Sequence, residues 1–398
     1  MRLANRDDKT TSMDIITTTD ALDAFCARLS SAEFITVDTE FHRETTYWPL
    51  LCLVQVAGPD EAHCIDTLAV GIDLSPLYDL FRDTKIVKVF HAARQDLEIF
   101  FHKAGLIPAP LFDTQVAAMV CGFGESVGYE TLVSRLTSAK IDKSQRFTDW
   151  TRRPLSEKQI EYALADVVHL RDVYGSLKSE LERSGRAHWV SEELGVLTSP
   201  KTYDLSPEES WRRLKSREKK PRYLAILKEV SAWRERTAQT QDTPRRRVIK
   251  DDALIELAAL KPTDEKALSQ TRLSKSLARS KHAPDIFAAI KRGIETPDDL
   301  CPRATRALEK PPGLGPVIDL LKVLLKARCE GSDVAVKLVA TVDDLERIAC
   351  DDNADVPALS GWRKELFGAD ALRLKHGELA LGLSPDSKSV DVMEQPRG

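Results

Sequence analysis

Apolar residues in the first half of the chain follow two alternating rhythms. ALDAFCARL (21–29) carries them at helical spacing, whereas FITVDTEF (34–41) alternates apolar and polar positions as a strand with one covered face does. LLCLVQVAG (50–58) and EAHCIDTLA (61–69) read as further strands, and KIVKVFHA (85–92) as a short β-rich run. Helices are predicted at SPLYDLFR (75–82), RQDLEIFFHKAG (94–105), DTQVAAMVCG (113–122) and YETLVSRL (129–136). Strands first and helices later, with one crossover, describe an α/β layer fold.

Beyond about residue 195 the β-rich signal stops and the pattern becomes helical. SPEESWRRLKS (206–216) opens with Ser206 as a cap, Pro207 at the first helical position and two acids in the first turn. Two helical sets of similar size follow, giving expected domains at 206–290 and 296–384 after an α/β domain at 14–195. GIETPDDLCPRAT (293–305) reads as the linker between them. Residues 1–13 and 385–398 are polar and are expected to be disordered.

At 398 residues, 42% hydrophobic and 30% charged, the chain is long enough to bury more than one core. Ordinary Gly and Pro counts, 18 and 20, exclude collagen-like and low-complexity classes. No apolar run approaches the roughly 18 to 20 residues of a membrane span, and the polar start lacks the apolar core of a secretory signal. The expected location is therefore cytoplasmic. Seven scattered cysteines without a CxxC pair read as reduced, small apolar fillers and not as zinc ligands. The net charge of −4 hides an uneven distribution: residues 210–250 hold fourteen Lys and Arg against four acids. Such an island is a plausible polyanion footprint, with a solvated face as the alternative.

The chemistry concentrates in a few carboxylates. In a strand, Asp38 and Glu40 share one face while Ile35, Val37 and Phe41 point to the other. Two carboxylates side by side repel unless a cation compensates, which suits a hard divalent metal, although a solvent-facing strand fits the pair alone equally well. Asp96 falls in the first turns of a helix. Tyr162 and Asp166, four apart, share one face of another helix.

In this order, and with the letters around them, these residues resemble the tyrosine-containing branch of the DEDD 3′ to 5′ exonucleases. DTEF followed by TYWPLLCLVQ, then KVFHAARQDLE, then DKSQRFTDWTRRPLSEKQIEYALADV look like the ribonuclease D family across about residues 14–195. The helical remainder is similar to the HRDC modules that follow the nuclease in that family. The resemblance implies an α/β ribonuclease H-like exonuclease domain followed by two all-α HRDC-like domains. It also implies a metal-dependent 3′ to 5′ exoribonuclease that releases nucleoside 5′-monophosphates from RNA, with tRNA precursors as substrates. By the same resemblance Asp38, Glu40, Asp96 and Asp166 would hold two divalent ions, Mg²⁺ or Mn²⁺, and Tyr162 would orient or help deprotonate the attacking water.

His42 and Arg43, where the strand ends, and Lys143, in the family-like motif, are candidates for contacts to RNA phosphates, as are Arg245, Arg246 and Arg247. Ser144 and Gln145 share the Lys143 motif, for which a solvated loop is the plain reading. His91 could approach the metal site or be structural, and Gln55 could support the sheet. Trp211, Tyr223 and Trp233, interleaved with Lys and Arg, could stack on bases or form the cores of helical bundles. A DNA exonuclease using the same acids, or a non-catalytic RNA-binding protein, are the competing functions.

Overall fold

The computed structural model describes residues 15–137, 139–142, 144–269, 280–303, 311–386 and 388–395. The chain separates into two units, one of Met1–Glu40, Leu51–Thr202 and Leu308–Gly398, the other of Phe41–Leu50 and Tyr203–Ala307.

The first unit is built on a six-stranded mixed sheet from β1 (Ile15–Ile16), β2 (Phe34–His42), β3 (Leu50–Ala57), β4 (Ala62–Asp66), β5 (Val87–Phe90) and β6 (Leu111–Asp113), in the order β1-β4-β3-β2-β5-β6. The pairs β1·β4, β2·β5 and β5·β6 are parallel and β3·β4 is antiparallel. β3 is covered along almost its whole length, which explains why LLCLVQVA reads as a continuous apolar run instead of an alternation. Helices α1 (Thr19–Leu29), α2 (Ser75–Arg82) and α3 (Arg94–Ala104) connect strands, and after β6 come α4 (Thr114–Val120), α5 (Tyr129–Thr137), the long α6 (Glu157–Ser184) and α7 (Ala187–Leu197). Ser156 and Gln159 form a reciprocal capping box that fixes where α6 begins.

The second helical set belongs to this unit. Its core gathers Leu321, Leu324, Trp362 and Phe367, with Trp189 of α7 packed against it. Trp189 stacks on Trp362 at 4.5 Å, and Glu193 accepts hydrogen bonds from the Trp362 indole (3.0 Å) and Arg363 (2.6 Å). The expected disordered tail is corrected here: Val390–Glu394 (β8) pairs antiparallel with Leu379–Leu383 (β7). Its alternating Val390 and Val392 make a strand, and Val392 packs on the helical core. The region is thus helical with an added hairpin. Residues 1–13, the other expected disordered segment, lie outside the described residues.

The second unit is a helical bundle around α8 (Pro221–Thr240), with α9 (Arg245–Val248), α10 (Asp251–Leu260) and the helix Ala283–Glu295. Gly293, expected to open a linker, lies within that last helix. A Cβ there would come 2.5 Å from the Ile226 Cα, so the close approach to α8 requires glycine. The segment 206–216 also departs from expectation: Pro207–Arg213 is a 3₁₀ turn, and Ser206 bonds Glu208 at 3.0 Å instead of capping a helix. Trp211 and Leu214 at its end turn in against the bundle core. The nuclease-side segment Phe41–Leu50 joins this unit through Asp242, whose carboxylate accepts from the backbone N–H groups of Tyr47 and Trp48 at 3.0 and 2.9 Å.

Candidate active site

β2 is pinned from both faces before its acids are reached. Ile35 and Val37 are fully buried, and the Thr36 hydroxyl donates to the Val167 carbonyl of α6 at 2.7 Å. The Tyr129 hydroxyl donates to the neighbouring Asp166 carbonyl. The first bond sets α6 against β2 and the second ties it to α5, and Asp38, Glu40 and Asp166 converge, with one carboxylate oxygen from each lying within 4.8 Å of the others. Asp96, at the start of α3, accepts a hydrogen bond from the Thr39 hydroxyl and adds its charge to that felt by Glu40. The turn into α3 is held by the buried Asp113, whose carboxylate accepts from Ala92 and Ala93 N–H at 3.1 and 2.8 Å and also caps α4. Ala92 sits there at φ 58°, a left-handed conformation sustained by that bond.

Electrostatics identify what this cluster lacks. Burial, then proximity to Asp38, holds Asp96 well above the usual carboxylate range. Burial pushes Asp38 up to about 6, and burial with the Asp38 charge pushes Asp166 up to about 8. Glu40 is raised further, by burial and by Asp38, Asp166 and Asp96 together. Converging oxygen donors that resist ionising side by side, as Asp38, Glu40 and Asp166 do, are of the kind a hard divalent cation satisfies. Burial and then Asp166 raise the Tyr162 phenol, so without a cation it keeps its proton, and it is hydrogen-bonded to the Asp166 carboxylate.

Asp38, Tyr162 and Asp166 line a cavity of about 330 Å³ together with His91, Tyr129 and Arg146. His91 meets the Thr114 hydroxyl through Nδ1 at 3.0 Å and is kept neutral by burial. Arg146, Tyr129, Thr39 and Asp113 are the residues that sequence reasoning missed. Arg146 adjoins the motif that drew attention to Lys143, and its positive charge offsets the acids at Glu40 and Asp166. The other three act through hydroxyl or carboxylate bonds to distant groups, which leave no periodic trace.

Several expected site residues lie elsewhere. His42 and Arg43 do not line the cavity, and His42 Nε2 is 3.1 Å from the Thr45 hydroxyl. Lys143 lies outside the described residues. Ser144 is exposed, and Gln145 bonds it at 3.1 Å. Gln55 is buried with neither side-chain polar atom hydrogen-bonded among the described residues. Tyr223 and Trp233 are core residues, and a buried ring has no face for a base. Arg245, expected at a phosphate, is corrected: its guanidinium pairs with the buried Glu235 through Nε at 2.6 Å and lies over the Tyr47 ring. Arg246 and Arg247 remain exposed.

The mixed sheet and its converging acids define a class, the 3′ to 5′ exonucleases with a divalent-metal site, and a 3′-5′ exonuclease family model matches residues 13–182. An HRDC domain model matches residues 223–290. The chain is 55% identical to the ribonuclease D of Nitrobacter hamburgensis over 375 residues, covering 93% of this chain and 97% of the relative. It is 54% identical to that of Jannaschia sp., covering 95% and 99%. The crystal structure of Escherichia coli RNase D, described as an exoribonuclease involved in structured RNA processing, superposes with a TM-score of 0.80 at 32% identity, covering 92% and 98%. The chain belongs to the ribonuclease D family and is a 3′ to 5′ exoribonuclease.

Proposed function

We propose that this enzyme trims the 3′ ends of structured RNAs such as tRNA precursors by two-metal-ion hydrolysis, releasing nucleoside 5′-monophosphates. The observation that carries the reading is the convergence of Asp38, Glu40 and Asp166, with Asp96 adjoining, in a cleft where burial and mutual repulsion leave them short of positive charge. Asp38, Glu40, Asp96 and Asp166 would hold the ions, Mg²⁺ or Mn²⁺. When bound, these supply positive charge at the attacking water and at the departing oxygen. Water adds to phosphorus, the bond to the 3′ oxygen breaks, and that oxygen takes up a proton. The protonated Tyr162 phenol suits orienting the water better than abstracting its proton.

The modules at 14–195, 206–290 and 296–384 divide the labour in this reading: the first cleaves, while the helical ones engage RNA. His42, Arg43, Arg246 and Arg247 are the proposed phosphate contacts. All seven cysteines are unpaired, which suits the reducing cytoplasm as the site of action. Among the described residues no helix is long and apolar enough to cross a membrane.

The test is digestion of 5′-labelled, 3′-extended tRNA beside single-stranded DNA of matched length, with Mg²⁺, Mn²⁺ or EDTA. A metal-dependent ladder shortening from the 3′ end of the RNA supports the reading. Equal digestion of DNA would overturn the RNA preference, and digestion in EDTA would overturn the metal mechanism.

A further inference from the structure

Beside the acids, the cavity wall carries a cation that the hydrolytic machinery does not use. Arg146 is the only arginine or lysine among the described residues lining the cavity. Its guanidinium lies 5.3 Å from the ring centroid of Phe147, a residue that is 91% exposed. A phenylalanine this open contributes nothing to a core. Held beside an arginine at the edge of a nucleotide-cleaving cavity, it offers a flat apolar surface next to a phosphate-seeking charge.

We propose that Arg146 and Phe147 form a subsite for the 3′-terminal nucleotide, with Phe147 stacking on its base and Arg146 pairing with the scissile phosphate. The proposal rests on the two-metal reading above. Four carboxylates and two dications cancel, so the negative charge of the incoming phosphodiester requires a further cation, and Arg146 supplies it. Any nucleobase presents a π face to a ring, so the subsite would grip the RNA end with little preference among bases.

The full chain would be tested by equilibrium binding, with Ca²⁺ replacing Mg²⁺ to block turnover. The probes are a short oligoadenylate ending in adenosine and its twin ending in an abasic ribose. The wild type should favour the adenosine end about ten-fold, the value of one stacked base. Phe147→Ala should abolish that preference and Phe147→Tyr should keep it. Both changes fall on an exposed side chain and leave the core intact. Arg146→Ala should weaken both probes equally and flatten the salt dependence by about one phosphate contact. A base preference that survives Phe147→Ala would overturn the stacking role. Unchanged binding of both probes by Arg146→Ala would overturn the phosphate role. If Asp38→Asn left cleavage intact, the underlying metal-site reading would fail instead, whatever these binding ratios showed.

Discussion

Two of the places where this molecule buries carboxylates give opposite results. In the nuclease cleft Asp38, Glu40, Asp96 and Asp166 face one another, and their pKa values rise. In the helical unit Glu235 has no exposed side-chain surface, and burial alone would push it up as well. Hydrogen bonds from Arg245 and from the Tyr47 hydroxyl (2.5 Å) outweigh burial and hold its carboxyl below the usual range. Glu235 is a finished ion pair that builds a fold. The cleft is an unfinished one whose cation must come from outside, and that incompleteness separates a working site from a structural one.

The largest expected effect tests the unfinished side. Asp38→Asn or Asp166→Asn should lower single-turnover cleavage by about a thousand-fold or more, because several kcal/mol of transition-state charge stabilisation disappears. RNA affinity in a filter-binding assay should persist, and its parallel loss would remove both residues from the chemistry. The finished side should answer in stability. Glu235→Ala strands Arg245, and Arg213 whose Nη1 lies 3.4 Å from Glu235 Oε1, beside a cavity, and should cost about 3 kcal/mol in denaturant unfolding, with cleavage per folded molecule unchanged. Destabilisation under about 0.5 kcal/mol, the level of an ordinary surface change, would mean that the ion pair is dispensable.

Tyr162→Phe should slow the chemical step by about a hundred-fold with KM almost constant. A rise in KM at constant kcat would instead make the phenol a binding group. The raised carboxylates also set a pH signature. Folded-state values of about 6 for Asp38 and about 8 for Asp166 lie above the ordinary carboxylate range near 4. Their contribution to metal-free stability is therefore fully present below about pH 4 and is lost as pH rises through 6 and then 8. Bound metal reverses that loss, so the stabilisation produced by Mn²⁺, read by denaturant unfolding, should grow between about pH 5 and 8, by about 1.4 kcal/mol per pH unit for each proton displaced. A stabilisation independent of pH would contradict the raised carboxylate pKa values.

The comparison also shows what the sequence could reveal. Asp38 and Glu40 were legible because strand period fixes their common face, and Tyr162 and Asp166 because helix period does. Their convergence was not, since it depends on Thr36 and Tyr129 bonding to α6 carbonyls across more than thirty residues of chain. Strands β2 to β5 and the helices beside them were legible from periodicity, whereas β1 and β6, two and three residues long, are too short to show an alternation. The β8 strand was hidden because five residues in a polar tail carry too little alternation to stand out. In the basic island the letters showed charge but not its partners. Arg245 looked like its two neighbours until Glu235, ten residues earlier on α8, claimed it.

That last distinction yields the smallest and most discriminating prediction. Arg245, Arg246 and Arg247 are consecutive and chemically identical, yet the first reaches Glu235 and the Tyr47 ring while the other two are exposed. Replacing Arg246 and Arg247 with alanine should leave the melting temperature in place, since exposed charges contribute little to stability. The same change should reduce RNA affinity and lower the slope of log affinity against log salt by about two, one for each phosphate left without its arginine. Arg245→Ala should do the reverse, lowering the melting temperature while leaving the salt slope nearly unchanged, because its charge is already committed to Glu235. If all three arginines changed the salt slope alike, the pair with Glu235 would open on RNA binding, and the division between finished and unfinished charge would hold only for the free protein.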